Sequence, residues 1–273
     1  MDSVYDIVVK IGSMALVRDD GDIDYNIFSR LGNSLRPGML LVSSGATEIG
    51  RIDYTKRSGA ELSGDLEDIK TDYAAQGQSI LMQNYRQFIS PSYSVRQVLV
   101  EHSHFNDPEK REHILRLLMR APAQNAIPII NYNDPVSSEE NRKMELKKMV
   151  SGGKKVVECV DNDETAAVIA TLVRAKSLVI LTSVDGIYRK KDDSSTLIHE
   201  ICGSTPEELD AEAAKALEYC HGASRAGANG AGAKLKYSLM PAKAGTHVYI
   251  SSAANLIEDI LSGKADSTHI YLR

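Results

Sequence analysis

The chain has 273 residues, 42% of them hydrophobic and 25% charged, with a formal net charge of -5. That mildly acidic balance, with no Trp and only three Phe, argues against a nucleic-acid face or an anionic-membrane surface. No apolar run approaches the roughly 20 residues that cross a bilayer. Cys159, Cys202 and Cys220 form no Cys-x-x-Cys pair, which points to a reducing, cytoplasmic setting and against a zinc site. The acidic start MDSVYDIVVK enters a strand at once and is not read as a signal peptide.

In chain order, Asp6 to Ile11 reads as a strand, followed by Gly12-Ser13. Lys10 interrupts its apolar run, and a lysine there is costly unless its ammonium reaches water or an anion. A first helix runs to about Leu35, and Gly38 to Val42 is a second strand breaking into Ser43-Ser44-Gly45-Ala46. Such small residues let a ligand approach the backbone. Residues 51–70 are polar and read as an exposed excursion. Ala74 to Phe88 is a helix, Ser94 to Val100 a strand, and Asp107-Pro108 caps a helix reaching Leu118. Ala126 to Asn131 is a strand ending in Tyr132-Asn133-Asp134-Pro135, and the charged stretch 136–155, with Gly152-Gly153, reads as a hairpin or flap.

The acidic cluster Asp161-Asn162-Asp163-Glu164 opens a helix whose apolar residues, Ala166 through Val173, share one face. Ser177 to Thr182 is a strand buried on both sides, ending in the polar turn Ser183-Val184-Asp185-Gly186. Small ligands sit at that edge of open α/β sheets. Thr205-Pro206-Glu207-Glu208 starts a helix through about Tyr219. Residues 222–234 are too glycine-rich for regular structure. A helix to about Lys243 and strands at His247 to Ser251 and Thr268 to Leu272 complete the chain. Alternating strands and helices imply an α/β fold with a mainly parallel sheet sandwiched by helices.

Glycine-containing strand ends, two lysines and clustered carboxylates and amides point to a polyanion bound with magnesium. The loop before Lys234 lacks the Gly-Lys-[Ser/Thr] core of a Walker A sequence, and no Gly-x-Gly-x-x-Gly follows the first strand. His102 and His104 have no evident third metal ligand and read as surface residues. Lys143, Lys147, Lys148, Lys154 and Lys155 are balanced by Glu139, Glu140 and Glu145 and read as a solvated flap.

Seven stretches, VVKIGS at 8–13, LVSSGA at 41–46, AAQGQSILMQNY at 74–85, IPIINYNDPV at 127–136, DNDETAA at 161–167, LTSVDGIY at 181–188 and GANGAGAKL at 227–235, together resemble the amino acid kinase family, and within it the glutamate 5-kinases. The resemblance implies a three-layer αβα sandwich over residues 1–273, with about 1–172 as the acceptor lobe and about 173–273 as the nucleotide lobe. It also implies absence of the additional carboxyl-terminal domain many such kinases carry. The implied reaction transfers the γ-phosphate of ATP, with Mg2+ held by its phosphates, to a carboxylate of a small amino acid such as glutamate.

By the same resemblance, Lys10, Asp163 and Lys234 are catalytic, and Ser44, Gly45, Ala46, Asp134 and Asn162 bind the acceptor. Lys10, Gly12, Ser13, Thr182, Ser183, Asp185, Gly186, Tyr188, Gly230 and Lys234 bind the nucleotide. A homo-oligomer (dimer or tetramer), no nucleic-acid or membrane partner, and a functional link to a reductase consuming the acyl phosphate are also implied. The chain departs from the family pattern at Tyr132, where an acidic residue is usual, at residues 70–73, and at 227–231. Rival readings are the same fold with another acceptor, a ligand-sensing module without turnover, and an NAD-dependent oxidoreductase, which lacks its fingerprint.

Overall fold

The computed structural model describes residues 5–137, 139–150, 156–158, 162–190, 193–220 and 230–273. In chain order the elements are β1 (Ile7–Ile11), α1 (Tyr25–Ser34), β2 (Met39–Ser43), α2 (Ala46–Ser58), α3 (Leu66–Phe88), β3 (Ser94–Val100), α4 (His102–Asn106), α5 (Pro108–Arg120), β4 (Ala126–Tyr132) and α6 (Glu139–Val150). They continue with α7 (Asn162–Val173), β5 (Ser177–Thr182), β6 (Ile187–Tyr188), β7 (Leu197–Ile198), β8 (Glu200–Gly203), α8 (Pro206–Leu217), α9 (Gly230–Lys243), β9 (His247–Ser252), α10 (Ile257–Leu261) and β10 (Ser267–Leu272). The α/β class with mainly parallel strands is the one the residue pattern implied. Among the described residues no helix is long and apolar enough to cross a membrane.

The chain divides into two compact units, one of Met1–Gly12, Gly38–Val42 and Asp163–Arg273, the other of Ser13–Pro37 and Ser43–Asn162. In the first, the strands run in the order β2-β1-β5-β9-β10-β8. β1 pairs parallel with β5 (Lys10 opposite Ile180, Ile11 opposite Leu181), and β5 pairs parallel with β9. β10 is antiparallel to β9 and parallel to β8. All of β1 and nearly all of β5 are buried, as apolar parallel strands covered on both faces must be. Helices α8 and α9 pack on β8, β9 and β10. A two-stranded antiparallel ribbon joins β6 and β7.

In the second unit β3 and β4 pair in parallel, bringing Val100 opposite Tyr132. Helix starts there follow capping chemistry: Asp24, Asp65 and Asp107 each accept hydrogen bonds from main-chain N–H groups of the first turn. Helix α3 is the hub, packed against both α1 and α2.

Several expectations are corrected. The excursion at 51–70 is mostly helical: α2 continues to Ser58 and α3 begins at Leu66. Its polarity misled because Ile49 and Ile52 supply the buried face of α2, while only 59–65 breaks the backbone. The charged stretch after 136 carries helix α6, since Glu, Lys, Arg and Met favour helix whatever their charge. The glycine pair Gly152-Gly153 lies outside the described residues. Helix α9 starts at Gly230, so the last part of the glycine-rich stretch is regular; residues 222–229 also lie outside the described residues. Strands β6, β7 and β8 were not foreseen.

Close contact between α2 and α3 requires two glycines. A Cβ at Gly77 would stand 1.8 Å from the Ala46 carbonyl oxygen, and one at Gly50 1.8 Å from that of Tyr73. Backbone on both sides leaves no rotamer to relieve the clash. Gly77→Ala is therefore expected to cost about 3 kcal/mol or more of stability, read as a lowered urea midpoint with an unchanged m-value.

Candidate active site

Two lysines far apart in sequence meet on one carboxylate. Lys10 Nζ lies 2.6 Å from Asp163 Oδ1, and Lys234 Nζ lies 3.1 Å from Asp163 Oδ2. Strand β1 carries Lys10, the first turn of α7 carries Asp163, and α9 carries Lys234 one turn after Gly230. Lys10 and Asp163 are each only 4% exposed. Burial pushes the Asp163 carboxyl up, but the Lys10 and Lys234 ammoniums outweigh it and hold the group below the usual carboxylate range. The trio carries two positive charges against one negative, the electrostatics of a site for an anion.

Beside this trio, Gly12 donates its main-chain N–H to Leu181 O at 3.2 Å, so that N–H is engaged within the sheet. A Cβ at Gly12 would stand 3.7 Å from Lys10 Nζ; glycine keeps the space before the ammonium open. The parallel register sets the carboxyl ends of β1 and β5 side by side, so Thr182 emerges at the same edge as Lys10. Thr182 Oγ1 accepts from the Val184 N–H and donates to its carbonyl. Asp185 accepts from Tyr188 OH at 3.2 Å and from Asn255 Nδ2 at 3.4 Å. Burial and the neighbouring Asp185 carboxylate push the Tyr188 phenol up, which keeps it a donor. Gly186 fits because a Cβ would lie 2.4 Å from Thr268 Oγ1. Ser183 is exposed.

The second unit holds Ser13, Ser44, Gly45, Ala46, Asp134 and Asn162. Ser13 opens a short 3-10 turn after β1. Gly45 is the N-cap of α2 with φ +107, a left-handed conformation that disfavours other residues; Ala46 is the first helical residue and buried. Asn162 Nδ2 donates to Asn131 Oδ1 at 2.9 Å and to Ser44 Oγ at 3.2 Å. Asn131 is itself fixed: its Oδ1 also accepts from the Tyr132 N–H, and its Nδ2 donates to Gln78 Oε1 at 2.8 Å. This main-chain donor sets the orientation of every amide in the series. The series therefore ends in two buried atoms without a hydrogen-bond partner among the described residues, Asn162 Oδ1 and Gln78 Nε2.

Gln78 and Asn131 were not singled out from sequence. Both are polar residues in otherwise apolar buried elements, the signal that could have found them. Nearby, Ser43 Oγ meets Tyr85 OH at 2.7 Å.

Asp134 follows β4. Desolvation pushes its carboxyl up to about 6, against the pull of the Arg142 guanidinium. The reading of His102 and His104 as surface residues is wrong. His102 is 1% exposed, its Nε2 lies 2.8 Å from Glu145 Oε2, and its Nδ1 lies 3.3 Å from Tyr132 OH. His104 Nδ1 accepts from the Glu101 N–H in a capping box that starts α4. The partners of His102 are created by tertiary packing, which spacing alone does not reveal, whereas His104 caps the start of its own helix. Asp161, Lys154 and Lys155 lie outside the described residues.

Against known proteins, the chain matches the amino acid kinase family over residues 7–252, and it belongs to that family. A glutamate 5-kinase of Laribacter hongkongensis is 29% identical over 280 residues, covering 98% of this chain and 68% of the relative. One from Clostridium perfringens is 26% identical, covering 94% of this chain and 92% of the relative. Among solved structures, carbamate kinase from Giardia lamblia bound to AMP-PNP superposes with a TM-score of 0.59 at 15% identity, covering 98% of both chains. At that identity the likeness is one of fold.

The raised Asp134 carboxyl has a consequence for stability. An unfolded aspartate titrates near 4, so the folded chain binds this proton more tightly. The resulting stabilisation is fully present below pH 4 and is lost as pH rises through about 6. Asp134→Asn, which cannot ionise, should gain about 2 kcal/mol on the parent between pH 4 and pH 7, measured by urea unfolding at both pH values.

Proposed function

We propose that the chain catalyses ATP- and Mg2+-dependent phosphorylation of the side-chain carboxylate of an α-amino acid, L-glutamate, giving L-glutamyl 5-phosphate and ADP. The observation that carries this reading is the pair of ammonium groups held on one buried carboxylate, Lys10 and Lys234 on Asp163. Membership of the amino acid kinase family and the glutamate 5-kinase relatives support it.

The chemistry asks for charge neutralisation and not for a base. A side-chain carboxylate has a pKa near 4.3 and is already ionised at neutral pH. One of its oxygens forms a bond to the γ-phosphorus as the bond to the β–γ bridging oxygen breaks, and that oxygen leaves with ADP. The obstacle is repulsion between anions. In this reading Lys10 contacts the transferring phosphoryl group and Lys234 the charge developing on ADP, while Asp163 orients both. Ser13, Thr182, Ser183, Asp185, Gly186, Tyr188 and Gly230 hold the nucleotide. The engaged N–H of Gly12 leaves it a role in space alone. Mg2+ accompanies the phosphates.

For the acceptor, the two unmatched ends of the amide series are informative. Asn162 presents an oxygen that needs a donor, which the α-ammonium supplies while Asp134 accepts from the same group. Gln78 presents an N–H that needs an acceptor, as a substrate carboxylate is. Ser44, Gly45 and Ala46 border the same end of β2. The product is a mixed anhydride prone to hydrolysis, so a reductase that consumes it is the fitting successor.

The test is ADP release by the purified chain with L-glutamate, against aspartate, carbamate, phosphate monoesters and buffer. Glutamate should stand well above buffer; turnover with a different acceptor only would overturn the choice of substrate. Lys10→Met should lower kcat by about a thousandfold or more with an unchanged circular dichroism spectrum. Undiminished turnover in that variant would remove the mechanism.

A further inference from the structure

The turn that leaves β5 is fastened to the two strands beyond it. Ala253, just past β9, donates its main-chain N–H to Thr182 O at 2.8 Å, and Thr182 Oγ1 closes the turn on the main chain of Val184. Further on, Ile187 donates its buried main-chain N–H to Thr268 Oγ1 at 2.8 Å. Thr268 stands in β10 opposite Ile250 of β9 and is fully buried.

Turn and strand approach too closely for a side chain to stand between them. A Cβ on Gly186 would lie 2.4 Å from Thr268 Oγ1 and 2.9 Å from the Thr268 main-chain nitrogen. The missing Cβ at Gly186 lets the next N–H reach the hydroxyl. Valine has the same β-branched shape and would fill the buried position in β10; what threonine adds is an acceptor for a main-chain N–H of the turn.

A second tie acts on the one carboxylate of the turn. Asn255 Nδ2 donates to Asp185 Oδ1 at 3.4 Å and to Ser251 Oγ at 3.1 Å, and Ser251 Oγ donates to Asp266 O at 2.6 Å. Tyr188 OH donates to the other carboxylate oxygen. At 3.4 Å the Asn255 bond is the looser of the two ties.

We propose that Thr268 is a positioning residue for nucleotide binding, its hydroxyl holding the 182–188 turn on β10 in the conformation that receives ATP, with Asn255 as a weaker second tie. The assignment rests on the nucleotide role of that turn proposed above and adds two residues outside it. All of these groups lie in the first unit, as Lys10, Asp163 and Lys234 do. A turn released to other conformations binds with an affinity reduced by the fraction of time it spends in the competent one. The loss falls on ATP and spares the acceptor.

The test reads ATP affinity by displacement of a fluorescent ATP analogue, and KM for ATP and for L-glutamate from ADP release. It compares the parent with Thr268→Val, Thr268→Ser and Asn255→Ala. Thr268→Val leaves the Ile187 N–H without its acceptor and should weaken ATP binding and raise KM for ATP about 10- to 30-fold, with KM for glutamate changed less than about twofold and kcat less than about threefold. Thr268→Ser keeps the hydroxyl and should stay within about threefold of the parent. Asn255→Ala should raise KM for ATP about threefold to fivefold.

Unchanged ATP affinity in Thr268→Val, equal losses for ATP and glutamate, or a serine variant no better than valine would each show that Thr268 only supports the fold; any of these overturns the proposal and leaves the kinase reading intact. A parent that binds ATP without turning over glutamate overturns the choice of acceptor, and the displacement series then decides the role of Thr268. A parent that binds no ATP overturns both. Thermal melts identify a variant that does not fold; if that is Thr268→Val, Asn255→Ala at its half-buried site decides instead, and unchanged ATP affinity there overturns the proposal.

Discussion

The Asp163 carboxylate that bridges two ammonium groups is the interaction on which the first unit's chemistry depends. A buried lysine alone is expensive, because desolvation disfavours its charge. Asp163 offsets one positive charge and leaves a second in surplus. Its own place at the start of α7 is favourable, since the positive end of the helix dipole supports a carboxylate there. The arrangement is thus stable enough to fold and still short of one negative charge. A phosphate chain supplies what is missing, which is why preorganised cations suit a transfer that is limited by repulsion.

The same logic of incomplete satisfaction runs through the second unit. Asn131, Gln78 and Asn162 form an ordered amide series only because the Tyr132 main-chain N–H fixes one end. Buried polar atoms are nearly always paired, so an oxygen at Asn162 and an N–H at Gln78 that find no hydrogen-bond partner among the described residues are costs to the fold. Asp134 adds a third cost, a carboxylate whose ionised form burial disfavours. All three would be relieved by one ligand carrying a cation and a hydrogen-bond acceptor. Sites that sacrifice stability in this way are where function overrides packing.

What the sequence disclosed follows from which signals are local. Apolar runs such as Val8-Val9 and Leu178 to Leu181 announce buried strands, and caps such as Asp107-Pro108 announce helix starts, because both depend on neighbours within a few residues. The convergence of Lys10, Asp163 and Lys234 was legible only through resemblance, since more than 220 positions separate the first and last. The polarity of residues 51–70 hid the end of α2 and the start of α3, and the close contact that Gly50 and Gly77 permit shows only once the partner backbone is seen. Likewise, nothing local distinguishes the buried His102 from the polar residues around it. Its burial is a product of α6 and β4 arriving from elsewhere in the chain.

Position 132 shows how one residue can anchor a neighbouring helix. Tyr132 holds the Arg142 guanidinium by its face, an attraction of about 0.5–2 kcal/mol. Tyrosine also carries a hydroxyl that ties the ring to Ser137 and His102, and His102 in turn holds Glu145 of the same helix. The charged helix after β4 is accordingly tied to the elements beside it by particular side chains, and its acidic and basic residues are not interchangeable solubilising groups.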